Sequence, residues 1–309
     1  MILRMLSVLL VAQLALALSL YWPQEPVQRS RESLITAVTA DAVNQIQLSN
    51  GDGATLVLVR DADGWRLDLG FPADQDKVAA LLRALTDADP GFPVADSDSA
   101  AKRFEVADDD FQRKIILGSA TGQATAYLGS SLGLRKMHAR SQDDSAVFVL
   151  AMSSYDAPVD IDSWLDTRLL ARPALSLFAL YGVEFALTDG RWSRSDGVDA
   201  DQDKITALAQ VLGNLQISGL VDAADEDAGS AGEALRISTP GISTAGITPT
   251  GNPDDGIAVL HNPDSDRYYL QSERFGEIFS TSAYDAQRLI DAARELFGTG
   301  DQDPVTLDG

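Results

Sequence analysis

Residues 61–85 read DADGWRLDLGFPADQDKVAALLRAL, and residues 188–212 read TDGRWSRSDGVDADQDKITALAQVL. Laid one over the other at an offset of 127, they agree at Trp65/Trp192, Gly70/Gly197, Ala73/Ala200, Asp74/Asp201 and Gln75/Gln202. The agreement continues at Asp76/Asp203, Lys77/Lys204, Ala80/Ala207, Leu81/Leu208 and Leu85/Leu212, ten identities in 21 gapless positions. That density marks an internal repeat, which organises every other reading of the chain.

Each copy announces a strand, a turn and a helix. The two tryptophans open short strands whose rings face a core rather than a ligand. The shared ADQDK reads as a helix start: Asp74 and Asp201 are N-caps, and Asp76 and Asp203 sit where the helix dipole favours anions. Val78, Leu81, Leu82 and Leu85 then recur at helical spacing, as do Ile205, Leu208, Leu212 and Leu215. A pair of catalytic carboxylates is the competing reading of this motif, and capping accounts for it better.

Outward from the motif, strands are expected at 45–48 and 55–60 in the first copy and at 178–180 and 183–188 in the second. After the helices, strands are expected at 114–117, 125–128 and 146–150, then at 234–237, 257–261 and 267–271. The sequence Asn262-Pro263-Asp264-Ser265-Asp266 is the turn of a hairpin. A last helix starts on Ser282, presents Leu289, Ile290, Ala293, Leu296 and Phe297 on one face, and stops at Gly298. The expected fold is α+β: a tandem duplication of a mostly antiparallel sheet-plus-helix module, preceded by one N-terminal transmembrane helix. Its divisions are a membrane anchor at 1–24, a first module at 30–155, a connector at 156–172, a second module at 173–298 and a flexible tail at 299–309. The acidic stretch 223–232 reads as a mobile loop.

Residues 5–22 carry no charge and are apolar apart from Ser7, Gln13 and Ser19. Eighteen residues at helical rise span about 27 Å, close to the hydrocarbon thickness of a bilayer. Tyr21-Trp22 would lie at the interface, and Pro23 and Pro26 end the helix. An uncleaved signal anchor and a signal peptide cleaved after Ala15-Leu16-Ala17 both fit. Either sends the body out of the cytoplasm, and the anchor leaves it in the periplasm as a single-pass inner-membrane protein. Arg29 and Arg31 follow the apolar run, so loop charge orients it weakly.

The 309 residues hold 24 Lys and Arg against 46 Asp and Glu, a formal net charge of −22. Such a surface repels nucleic acid and anionic lipid headgroups, so neither is expected as a direct partner of the body. No cysteine is present, which excludes disulfides, thiolate nucleophiles and Cys-ligated metals. The two histidines, His138 and His261, have no neighbours at ligand spacing. Gly129-Ser130-Ser131-Leu132-Gly133 lacks the spacing and Lys-Ser/Thr ending of a phosphate loop, and reads as a turn. The run 222–233 has the length of a calcium loop but places Asp227 where that loop needs glycine. The expectation is therefore a protein that is not an enzyme, with no catalytic, cofactor-binding or metal residues to nominate and no cofactor.

Several segments together resemble a known family. They are the Gly-Trp strand with its Asp-x-x-Lys helix, Tyr127-Leu128-Gly129-Ser130 with Arg140, Ser163-Trp164-Leu165-Asp166 with Leu169-Leu170, and Arg274-Phe275. The likeness is to the bacterial domain of unknown function 4340 family, over residues from about 30 to 298. Members of that family usually carry one N-terminal membrane segment, and many are encoded beside ABC-transporter components of the gliding-motility auxiliary type. The resemblance implies a membrane-anchored extracytoplasmic accessory or scaffold, with the membrane itself and an integral-membrane or ABC-transporter protein as partners. A carboxylate-dependent hydrolase of envelope polymers and a solute-binding protein are the alternatives.

Overall fold

The computed structural model describes residues 33–238 and 255–297, together with Gln13. Apart from Gln13, the apolar run 5–22 lies outside the described residues, as do Arg29, Arg31 and the tail at 299–309. Among the described residues no helix is long and apolar enough to cross a membrane.

The fold is α+β, built on two antiparallel sheets. The first sheet takes β1 (Val43–Asn50), β2 (Thr55–Asp61) and β3 (Gly64–Leu67) as one meander. It continues from β1 into β4 (Arg113–Ser119), β5 (Gly122–Gly133), β6 (Lys136–Ser141) and β7 (Val147–Leu150). The second repeats that order, β10-β9-β8 followed by β12-β13-β14-β15. Its strands are β8 (Leu177–Leu180), β9 (Val183–Thr188), β10 (Arg191–Arg194), β12 (Gly232–Ser238), β13 (Ile257–Asn262), β14 (Arg267–Ser272) and β15 (Glu277–Thr281). A two-residue strand, β11 (Gly219–Leu220), adds itself beyond β15.

Helices α1 (Gln75–Thr86) and α3 (Gln202–Gly213) keep the 127-residue offset to the residue. Asp74 accepts the Lys77 backbone N–H at 3.0 Å and Asp201 that of Lys204 at 3.2 Å, so both motif aspartates are N-caps. The buried face of α1 is Val78, Leu81, Leu82 and Leu85; that of α3 includes Ile205, Leu208 and Leu212. One apolar cluster continues through both halves, from Leu34 to Leu296. The last helix, α5 (Ala283–Phe297), packs on α3, and the Ser282 hydroxyl accepts the Asp285 N–H at 3.0 Å.

The backs of the sheets are covered too. Short helix α2 (Asp98–Arg103), capped by Ser97, brings Ala101 onto Tyr127 and Val147. Short helix α4 (Glu226–Gly229), capped by Asp225, brings Ala228 onto Ala258, Leu260 and Tyr269. Hence 223–232 is not a loop throughout, as its composition suggested. Asp225 satisfies the Ala228 N–H at 3.1 Å, and buried Asn262 donates to the Asp227 carbonyl at 2.9 Å.

The stretch 129–133 is likewise no turn but the end of β5, bulged between Leu128 and Ser131. A Cβ on Gly129 would stand 2.0 Å from the Phe104 carbonyl oxygen, so the segment 104–105 lies directly on a strand with no side chain at that point.

Candidate functional site

The motif side chains are bound to one another. Gln75 accepts the Trp65 N–H on Oε1 at 2.8 Å and donates from Nε2 to the carbonyls of Trp65 and Ala73, at 2.9 and 2.7 Å. Gln202 does the same to Trp192 and Ala200, at 2.8, 2.9 and 3.0 Å. The glutamine thus ties the first turn of each helix to the edge strand beside it, with its oxygen and its nitrogen both engaged by backbone.

Lys77 and Lys204 part company. Lys204 lies 3.9 Å from its own cap, Asp201, on an exposed surface. Lys77 reaches across to the connector, donating to the Ser163 carbonyl at 2.6 Å and lying 4.9 Å from the Trp164 ring centre. Burial lowers its pKa, against the pull of Asp160, Asp74 and Asp156, which favour the charged form. Trp164 is fully buried, with its indole N–H on the Pro158 carbonyl at 2.8 Å.

The connector binds both halves. Its Trp164 carbonyl accepts the Asp74 N–H and its Asp166 N–H donates to the Pro72 carbonyl, on the first side. On the second, the Thr167 carbonyl accepts the Ile217 N–H, Asp162 accepts the Leu220 N–H, and the Arg172 N–H donates to the Leu212 carbonyl. Phe71 adds a direct contact, with its ring 5.7 Å from Phe275 and 5.8 Å from Phe279. Its counterpart at the 127-residue offset, Val198, is exposed. The copies differ where one meets the other.

The family-pattern residues on β5 and β6 form a clamp. Tyr127 and Arg140 are cross-strand partners, with the guanidinium 4.9 Å from the ring centre. Arg140 is buried, donates to the Val106 carbonyl at 2.8 Å and the Asp144 carbonyl at 3.2 Å, and pairs with Asp108. Burial raises the Tyr127 hydroxyl's pKa.

His138 stacks on Phe104, and its Nδ1 lies 3.0 Å from the Ser130 carbonyl oxygen and 3.1 Å from the Ser130 hydroxyl. A carbonyl can only accept, so the network assigns the proton to Nδ1. That nitrogen is then no base for Ser130, whose hydroxyl donates to the Phe104 carbonyl at 3.2 Å. The pair locks the bulge of β5. His261 stacks on Tyr268 and lies 3.1 Å from Asp266, and no group of three or more His, Asp or Glu suited to a metal occurs among the described residues.

Two adjoining hollows lie on helix α3. One, of about 410 Å³, is lined by Leu175, Leu187 and Trp192 with Arg168, Gln210 and Asn214 among its polar groups. The other, of about 440 Å³, has Asp203 as its single carboxylate. Hydrolysis between two carboxylates needs a pair about 5–9.5 Å apart, and neither hollow holds a pair.

Residues 65–232 match the family model for the domain of unknown function DUF4340. The chain belongs to the DUF4340 family. The match opens on Trp65 and spans the clamp, the connector and the second copy of the Trp–Gln motif. DUF4340 membership therefore rests on residues that build the fold. No curated protein and no solved structure matches the chain.

Proposed function

We propose that this DUF4340 chain is a tandem-duplicated, membrane-held accessory or scaffold on the extracytoplasmic side, acting by binding as part of an ABC-type transport complex. The observation that carries this reading is the internal commitment of the polar motif residues. Gln75, Gln202, Asp74, Asp201, Lys77 and Arg140 all make bonds that hold backbone in place. A reacting centre keeps side chains convergent on a space a substrate can enter, whereas these converge on carbonyls and N–H groups of the chain itself. At the junction, where a solute-binding protein would keep a hollow, Phe71 packs its ring against Phe275 and Phe279.

The membrane-held part of the proposal is tested by fractionation. The full chain should stay with inner membranes through an alkaline wash, and its body should be cut by protease in spheroplasts but not in intact cells. Release of the full chain by the wash, or protection in spheroplasts, would defeat the tether or its orientation.

A further inference from the structure

The hairpin between β5 and β6 turns on Leu134 and Arg135, between the paired residues Gly133 and Lys136. Both turn residues hold positive φ, +49° and +55°. Left-handed backbone brings Cβ against the following carbonyl, so such two-residue turns are usually made with Asn-Gly or Asp-Gly. This chain follows that rule at Asp189-Gly190 and spends a glycine at Tyr181-Gly182, where Tyr181 also meets the Phe297 ring at 5.3 Å. Leu134 gains no such contact, being 97% exposed. Strain held at a leucine whose side chain packs on nothing points to a use for it outside the fold.

The surroundings say what kind. Residues 131–136 are all exposed, Leu132 among them, and Lys136 follows Arg135 directly. An ion pair of 3.0 Å from Arg135 to Asp156 draws the turn Ser154–Asp156 towards the tip, and its Tyr155 is 86% exposed. In the second sheet the matching hairpin, between β13 and β14, turns on the polar Pro263-Asp264-Ser265-Asp266.

We infer that the β5–β6 tip is a bilayer-contacting element, in which Leu132 and Leu134 enter the headgroup–acyl boundary. Tyr155 then lies at headgroup level, and Arg135 and Lys136 meet lipid phosphates. Aliphatic tip, aromatic flank and paired cations are the chemistry of the membrane interface. A stable protein contact takes roughly 20–30 residues a side, far more than six exposed residues and one tyrosine supply. The chain's formal net charge of −22 repels an anionic leaflet, and the tip places two adjacent cations at the point of approach. This inference rests on the membrane-held reading, because a tip this small suffices only where a tether already keeps it near lipid.

Because the chain has no cysteine, a nitroxide placed on Leu132→Cys reports the tip alone, and one on Asp264→Cys reports the matching hairpin. The full-length chain is reconstituted into phosphatidylethanolamine–phosphatidylglycerol vesicles. The label at 132 should be reached more readily by oxygen than by a water-soluble nickel complex, and the label at 264 the reverse. Adding Leu134→Asn with Arg135→Gly should raise the melting temperature by relieving the turn, and return the label at 132 to water. A chain that floats with the vesicles while the label at 132 stays as wet as that at 264 refutes the tip and spares the tether. A chain that does not float removes both. Shielding in native membranes but not in protein-free vesicles assigns the tip to a protein instead and overturns the lipid reading.

Discussion

Gln75 grips the backbone of Trp65 by both its N–H and its carbonyl, ten residues back along the chain, and Gln202 grips Trp192 in the same way. At neutral pH an amide of this length donates and accepts at once, which the ionised carboxylate of Glu cannot do. Replacing Gln75 by Ala leaves the Trp65 backbone groups without that partner at the edge of the sheet, and should cost about 1–3 kcal/mol. Gln75→Glu should cost more at neutral pH, because a carboxylate faces the carbonyls of Trp65 and Ala73. Part of that loss should return below pH ~4, where the acid form regains a donor. Urea unfolding of the two variants across pH measures it.

Gly129 should tolerate no side chain. Its added Cβ meets the backbone oxygens of Phe104 and Glu105 at 2.0 and 2.5 Å, and backbone cannot step aside as a flexible side chain does. Gly129→Ala should destabilise the chain by about 3 kcal/mol. Hydrogen exchange should show the loss concentrated around residues 104–112 and β5. A variant as stable as the parent would contradict the close approach.

Arg140 holds the segment 106–108 and the turn at 144 onto the back of the first sheet. Arg140→Ala should cost about 3 kcal/mol, mainly from carbonyls left unpaired. Arg140→Lys keeps the charge but not the planar fork, and should recover less than half of that. Thermal unfolding of the pair reads the difference.

Asp160 and Lys77 give the connector a response of the same sign at the two ends of the pH scale, with stability rising with pH through each window. Burial raises the Asp160 carboxyl, but the Ser163 hydroxyl and N–H, with the Lys77 charge, together hold it below the ordinary 3.8. A depressed carboxylate stabilises the fold above its unfolded pKa and loses that contribution as pH falls through the folded value. The advantage of the parent over Asp160→Asn should therefore be full at neutral pH and shrink below about 3.8. Lys77 is lowered by burial from 10.5, so its charge opposes folding, and stability should rise with pH as it deprotonates below 10.5. Lys77→Met, compared with the parent by denaturant unfolding from pH 8 upward, should lose that rise.

The repeat, the N-caps and the core faces of α1 and α3 were legible because each is local: a cap is three residues, a helix face one period. The strands β6 and β15 were not: Lys136-Met-His-Ala-Arg-Ser alternates polar and apolar residues but is short, charged and buried on both faces from Met137 on, and Glu277-Ile-Phe-Ser-Thr lacks clean alternation. The end of β5 was misread as a turn because glycine there answers the Phe104 carbonyl, 25 residues away in sequence. Helices α2 and α4 were missed because at six and four residues they have no period to detect. Their caps, Ser97 and Asp225, were the available signal. Arg140 was visible as part of a family pattern, but its clamp depends on carbonyls that only the folded chain brings within reach.

The measurement that bears most directly on the central claim is affinity purification of the full-length chain from detergent-solubilised membranes, with the co-purifying proteins quantified. The account predicts an integral-membrane or ATPase component of a transporter in stoichiometric amount, retained by a Gln210→Ala variant altered in the α3 hollows. A chain that comes through alone from gently solubilised membranes and cleaves envelope polysaccharide would contradict it.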